Sequence, residues 1–341
     1  MSTASQPAAN PIPATQTTDG GCPTQTRLGG TNLDASSVAS AFPQETQNSK
    51  PETLSSVSTR ETRNQKQETD LAPFLVQQDP AAYTAENHAV WKLLFARRME
   101  HLHNVGSRAF LNGIESIGLT ADRVPGLGAM NRRLEPITGW RAVAVSGFLE
   151  PTLFFQCLAE RRFPTTVIVR PMQQLDYLPE PDIFHDVFGH VPMHADPVFA
   201  DFLQRFGAIA ATARNQAEVR MLTRLFWFTV EFGLSREDGE TKVYGSGLIS
   251  SHADCVNALG ANCERRAFVL DEVLTQEFEI DHLQPVLFVI DSHQQLFDAV
   301  EQVRERMADG LLAPDSDGAA IRLCGHDHSN ASVPTCMQDL P

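Results

Sequence analysis

Long apolar runs are missing from this chain, and so is any cysteine-rich segment. No stretch approaches the roughly 20 apolar residues that span a bilayer, and the first residues lack the basic flank and apolar run of a secretory signal. The six cysteines (Cys22, Cys157, Cys255, Cys263, Cys324 and Cys336) include no C-x-x-C pair. In a chain of 341 residues that pattern argues against a disulfide framework. Basic residues are also short, 27 Lys and Arg against 42 Asp and Glu, a formal net charge of -15. A sequence-independent hold on nucleic acid or anionic membrane needs clustered positive charge, so neither is expected as a partner. The early acids Asp19, Asp34, Glu45 and Glu52 are unlike an organelle transit peptide, which is acid-poor. A reducing, cytoplasmic setting is the expectation.

What is present divides into three segments. Residues 1–72 are rich in Ser, Thr, Gln, Ala and Pro with almost no aromatics, too little apolar surface to offset ordering entropy, and are expected to be a disordered polar extension. Residues 73–315 carry the apolar content of a globular domain, and 316–341 return to a flexible polar tail. The tail's Cys324, His326, His328 and Cys336 match no standard zinc spacing.

Helical periodicity is expected over Asn87–His103, Arg108–Ile117, Ala200–Ala213, Ala217–Gly233 and Leu296–Met307. Extended candidates are brief: Trp140–Val145, Thr165–Val169, Val243–Tyr244 and Val286–Ile290. The fold class implied is α+β and predominantly α-helical, one domain with small β elements.

Chemistry concentrates in PEPDIFHDVFGHVP, Pro179 to Pro192. His185 and His190 are five apart, which on an ideal α-helix separates their side chains by about 140°, against about 40° for a spacing of four. A plain helix would not aim both at one ion. Gly189 can end a helix, and Pro192 disfavours the helical region for Val191, so a bend that swings His190 toward His185 is the expected route. Alone the pair is weak, because a buried histidine is commonly satisfied by a backbone carbonyl.

In FWFTVEFGL, Phe226 to Leu234, Glu231 is a single carboxylate in an apolar run, costly to bury unless paired or bound to a metal. Two imidazoles and a carboxylate on one octahedral face leave the opposite face open, which suits Fe(II) activating oxygen. An ion pair from Glu231 to Arg220 or Arg224 is the alternative.

These strings, with RRFPTTVIVR from Arg161 to Arg170 and VYGSGLISS from Val243 to Ser251, resemble the pterin-dependent aromatic amino acid hydroxylases, especially the bacterial phenylalanine 4-hydroxylase branch, from about Tyr83 to Leu312. The resemblance implies that His185, His190 and Glu231 bind one ferrous ion, with a tetrahydropterin such as tetrahydrobiopterin as cosubstrate. It implies that Arg170 clamps the amino acid carboxylate, a task suited to a planar guanidinium. By the same matching, Ser250 and the backbone near Gly247 hold the amino acid's polar end, and Pro181, Trp227 and Phe232 wall the ring pocket. Gly147, Phe148 and Leu149 would form the pterin loop, with Gly147 a close-approach position, and Phe154 would stack on the bicyclic ring. Asp186 would reach the pterin through water or support an iron-bound histidine.

Two positions depart from animal members of the family. Phe226 stands in place of a tyrosine and Leu178 in place of a substrate-contacting threonine. The N-terminal regulatory domain and long C-terminal heptad helix of the animal enzymes are not evident, so a monomer is expected. The reaction implied is hydroxylation of free L-phenylalanine to L-tyrosine with O2, with pterin-recycling enzymes as indirect partners. Tryptophan, tyrosine or phenylalanine meta-hydroxylation use the same ligands and stay open. Outside the class, a non-catalytic metal-binding scaffold and a zinc hydrolase are the competing readings.

Overall fold

The computed structural model describes residues 71–147, 149–176, 181–280 and 282–310. The expectations for residues 1–70, Phe148, Leu178, the polar tail and its Cys/His cluster lie outside the described residues. Leu71, placed by composition in the polar extension, is 2 % exposed and packs into the domain.

Helix α1 spans Ala85–Val105, opened by a capping box in which the Thr84 hydroxyl accepts from Asn87 N and the Asn87 side chain accepts from Thr84 N. Helix α2, Arg108–Ile117, matches its expected bounds and ends at Gly118, whose positive φ of 66° a left-handed C-cap requires. Helix α3 is Leu127–Thr138. Strand β1, Arg141–Val145, is followed by α4, Pro151–Ala159, and β2, Arg162–Thr166. Next come α5, Pro197–Ala210, and α6, Gln216–Phe226. Strands β3, Leu234–Glu237, and β4, Glu240–Val243, precede α7, Ser246–Ser250, and α8, His252–Leu259. Strand β5, Glu264–Ala267, α9, Leu270–Thr275, β6, Val286–Ile290, and α10, His293–Asp309, complete the described chain. Helices dominate and the sheets are small, as expected: β1 pairs parallel with β2, and a four-stranded sheet has the order β4-β3-β6-β5.

Three differences from the periodicity have physical causes. The strand expected at Thr165–Val169 lies instead at Arg162–Thr166 and includes Pro164, which a two-strand sheet tolerates because each strand is an edge. The long helix expected to Gly233 stops being α-helical at Phe226 and continues as a π-turn, Trp227–Glu231, closed by Phe232 N donating to Trp227 O. Helix α3 escapes the pattern because Pro136 lies inside it, and α4, only nine residues long, opens on Pro151 at its first position.

The core is aromatic and surrounds the segment bearing the histidines. Phe184 stacks on Phe188 at 4.6 Å and 12°, and Trp91 of α1 meets Phe184 edge-on at 5.4 Å. Each side chain of this size, fully buried, contributes about 1.5–3 kcal/mol. Gly113 lets α2 lie directly on the same segment, since a Cβ there would sit 2.0 Å from Pro192 O. Cys157, Cys255 and Cys263 are buried free thiols. Among the described residues no helix is long and apolar enough to cross a membrane.

Candidate functional site

Phe184–His190 is a π-helix, and Val191–Ala195 continues it as a 3-10 turn. The expected bend does not occur. Val191 stays helical at φ −62°, ψ −33° despite the following proline. What brings His190 over His185 is the wider π winding, whose i→i+5 pattern puts residues five apart on one face. Gly189 does not end a helix; its absent side chain makes room for α7, since a Cβ would lie 3.0 Å from Ser246 O.

The second π-turn delivers Glu231 to the same point. His190 Nε2 lies 3.1 Å from Glu231 Oε1, His185 Nε2 lies 3.7 Å from Glu231 Oε2, and the two Nε2 atoms are 3.3 Å apart. Ligands at about 2.1 Å from a metal are separated by about 3.0 Å when adjacent on an octahedron and about 4.2 Å when opposite. Measured to the nearer carboxylate oxygen in each case, all three separations fall short of the opposite case, and one donor atom from each residue lies within 4.8 Å of the others, a set that a single ion can gather. They are the one group of three or more His, Cys, Asp or Glu side chains with this proximity among the described residues. The alternative ion pair is not formed: Arg224 donates to Leu274 O and Glu277, whereas Glu231 accepts from Ser246 Oγ at 2.7 Å.

Protonation suits ligation. Burial drives the His185 imidazole down to about 4, keeping it neutral. Burial alone would raise Glu231, but the His190 and His185 imidazoles and the Ser246 hydroxyl outweigh it and hold the carboxyl at about 2. A neutral His185 imidazole and an ionised Glu231 carboxylate are the forms a metal binds.

His185 Nδ1 lies 2.9 Å from Ser250 Oγ, and His185 N donates to Asp182 Oδ1 at 3.1 Å. Ser250, expected at the amino acid's polar end, therefore partners a candidate ligand. Ser250→Ala should weaken metal binding roughly 10- to 100-fold, the usual cost of losing a ligand's outer hydrogen-bond partner. Competition of a chelator for Co(II) in the purified protein measures it; an unchanged affinity would remove Ser250 from this role.

Arg170 is held side-on by Asp182, its Nε on Oδ2 and Nη2 on Oδ1, both at 2.9 Å, while Nη1 donates to Leu175 O. Burial alone would push the Asp182 carboxyl up, but the Arg170 fork and the N–H groups of His185 and Arg170 hold it below the usual carboxylate range. Three of five guanidinium donors are thus engaged, leaving one on each terminal nitrogen. Trp227 lies between Phe278, stacked at 4.4 Å, and Phe232 at 4.6 Å, a flat-walled cluster. Gly247 packs beneath Phe232, and Pro181 O lies 3.5 Å from Thr166 Oγ1.

Phe154 meets Phe163 edge-on at 6.2 Å, and Phe163 lies over the His190 ring at 4.6 Å, so one aromatic chain joins the expected pterin ring to the metal ligands. Phe226 meets Phe154 at 5.6 Å. A Cβ on Gly147 would meet no atom within 4 Å, so the protein itself does not demand glycine there. Leu149 is buried at 5 % exposure. Asp186 bonds neither histidine; its Oδ2 accepts from Thr166 N and Oγ1 at 2.7 and 2.8 Å, and burial pushes its carboxyl up to about 6.

Sequence reasoning missed Asp182, Ser246 and Arg98. Arg98 is 2 % exposed and donates to Ile249 O at 2.7 Å and Leu248 O at 3.0 Å, fastening α1 to α7 beside Ser250. Its signal was visible: Val90, Leu94, Arg98 and Leu102 recur every four residues, so the arginine stands on the apolar stripe.

Fold and site together define a mainly helical protein built around a facial two-histidine, one-carboxylate metal centre. Residues 41–311 match the family model described as biopterin-dependent aromatic amino acid hydroxylase. The chain belongs to that family. It is 42 % identical over 231 residues to the phenylalanine-4-hydroxylase of Chromobacterium violaceum, covering 67 % of this chain and 78 % of that one. The Ralstonia nicotianae phenylalanine-4-hydroxylase is 42 % identical over 227 residues, 66 % of this chain and 72 % of that one. A crystal structure of the C. violaceum protein with iron(III) and 7,8-dihydrobiopterin superposes with a TM-score of 0.66 at 42 % identity, covering 69 % of this chain and 87 % of that one.

Proposed function

We propose that this chain is a phenylalanine 4-monooxygenase, converting free L-phenylalanine to L-tyrosine with O2, a tetrahydropterin and one non-haem Fe(II). The observation that carries the reading is the facial set of His185, His190 and Glu231 in the fold of a family whose matched relatives are phenylalanine hydroxylases. When bound, iron and pterin together supply the electrons that split O2 and place one oxygen atom on the ring.

The chain's own residues bind and orient. His185, His190 and Glu231 hold the ion by three adjacent positions, and Ser246 and Ser250 fix the ligand orientations. Arg170, immobilised by Asp182, directs its two remaining donors to the amino acid carboxylate as a pre-organised fork. Trp227, Phe232 and Pro181 line the ring site, where flat apolar walls exclude water from the reacting carbon. The Gly147–Leu149 loop and Phe154 carry the pterin, with Asp186 on its polar side, and Gly247 gives the amino acid close access to α7.

The same reading has the polar extension, short of Leu71, and residues 316–341 as polar segments outside catalysis, a cytoplasmic monomer, and recycling of the pterin by separate enzymes. Purified protein with Fe(II), tetrahydropterin and each aromatic amino acid tests it by product analysis: tyrosine from phenylalanine is expected. 3-Hydroxyphenylalanine, or faster turnover of tryptophan or tyrosine, would reassign the substrate or ring position. No hydroxylated product at all would return the protein to a metal-binding scaffold.

A further inference from the structure

The segment Leu71–Val76 lies along the free edge of β1, the edge that β2 does not use. Leu75 forms an antiparallel bridge with Val145, and Val76 N donates to Ala144 O at 3.1 Å. One residue further, Ser146 N donates to Phe74 O at 2.8 Å. Ser146 opens the loop that continues through Gly147 to Leu149. At the loop's far end, Leu149 is buried in a small apolar cluster with Leu71, Val145 and Cys157, separate from the main core. Phe74, Leu153 and Phe154 pack against that cluster.

The loop is therefore held at both ends with the help of one strap: its first N–H by the Phe74 carbonyl and its last side chain in the cluster that Leu71 completes. Between these anchors a Cβ on Gly147 would meet no atom within 4 Å beyond its own chain neighbours. With no neighbour against that position, the placement of Gly147 follows from the anchors on either side. Phe154 touches the same cluster and also the aromatic chain leading to His190.

We propose that Leu71–Val76 is a positioning strap for the pterin site, with Leu71 and the Phe74 carbonyl setting the loop conformation that receives the bicyclic ring. This rests on the assignment of Gly147–Leu149 and Phe154 to the pterin. The strap touches none of His185, His190, Glu231 or Arg170 in the hydrogen bonds and clusters that hold it, so its effect falls on pterin and spares iron and amino acid.

Two substitutions in the full-length, iron-loaded protein test this. Leu71→Ala removes the strap's side chain from the cluster that buries Leu149. Val76→Pro removes the N–H that holds the strap to Ala144, and Leu75 before it is already extended at φ −67°, ψ 130°, as a residue preceding proline prefers. Affinity for 7,8-dihydrobiopterin by calorimetry should fall roughly 2- to 30-fold in both, the range of couplings carried through packed contacts. Hydrogen exchange at the Ser146 amide should accelerate, while iron content and the KM for phenylalanine stay within about two-fold. Leu71→Met, which refills the cluster, should restore the pterin affinity. Phe154→Ala, run in parallel, separates the two ideas: lost dihydrobiopterin affinity there, with none lost in Leu71→Ala and Val76→Pro, overturns the strap. Unchanged affinity in all three overturns the pterin assignment itself. Equal losses of iron, phenylalanine and pterin binding would make the strap a general stabiliser and overturn the proposal.

Discussion

Glu231→Ala should leave a folded protein that neither retains iron nor turns over. The carboxylate supplies the only negative charge among the three donors, and its two oxygens lie 3.1 and 3.7 Å from the imidazole nitrogens of His190 and His185. Loss of a ligand's outer partner already costs about 10- to 100-fold in metal affinity, so loss of the ligand itself should exceed about 100-fold. The fold should survive because His185, held neutral by burial, needs no counter-charge, and Ser246 loses one acceptor. Metal-free Glu231→Ala is expected to melt somewhat lower than metal-free wild type, because the contacts that hold this carboxylate ionised at about 2 are lost. Iron should raise the wild-type melting temperature, by the linkage that adds about 2.7 kcal/mol at a hundred times Kd, and leave the variant's unmoved. Glu231→Gln keeps volume and an acceptor for Ser246 while removing the charge, and should also lose iron. Iron content by emission spectrometry, melting with and without Fe(II), and tyrosine formation check the case. Near-stoichiometric iron with an unimpaired rate in either variant would mean that Glu231 is not a ligand.

The ligands were legible in the sequence for reasons of chemistry, and their geometry was not. A lone acid between Trp227, Val230 and Phe232 demands a cation whatever the backbone does, so Glu231 stood out. The histidines carried a spacing that an α-helix cannot use, and a bend at Gly189 and Pro192 was the natural repair. The chain instead winds wider twice, at Phe184–His190 and at Trp227–Glu231. A π-turn leaves little trace in hydrophobic periodicity, because residues on both sides of it are buried and the pattern saturates. Pro192 misleads for a related reason: its bias on Val191 is a preference, and packing of α2 through Gly113 onto Pro192 overrides it.

Residues that act through others were the least visible. Asp182 sits in the same motif as His185, yet nothing in the string says that it takes Arg170 side-on and the His185 amide together. Ser246 and Ser250 are ordinary hydroxyls until α7 is laid against the π-helix. Leu71 lies beyond a composition boundary drawn on averages, and the burial of its side chain in a cluster with Val145, Leu149 and Cys157 attaches it to the domain.

Arg170 gives the second large effect, because it is asked to do two things whose failures differ. Asp182 is fully buried, and its carboxylate depends on the guanidinium fork at 2.9 Å. Arg170→Met strips a buried charge of its partner and should destabilise the protein by about 3–5 kcal/mol. Arg170→Lys keeps the charge but cannot bond Asp182 side-on and present two parallel donors outward. A charge-assisted hydrogen bond contributes about 1.5–3 kcal/mol, so its loss should raise the KM for phenylalanine roughly 10- to 100-fold. Iron content should hold, because Arg170 contacts no metal ligand directly. Adding Asp182→Asn to Arg170→Met should recover much of the stability, the buried charge being gone, without recovering phenylalanine binding. That pairing separates the structural from the substrate role: denaturant melts report the first, and KM against the wild type the second. If Arg170→Met, once stabilised by Asp182→Asn, bound phenylalanine as tightly as the native protein, the clamp would have to be sought elsewhere, and Arg170 would be left as the counter-ion that keeps Asp182 under the His185 amide.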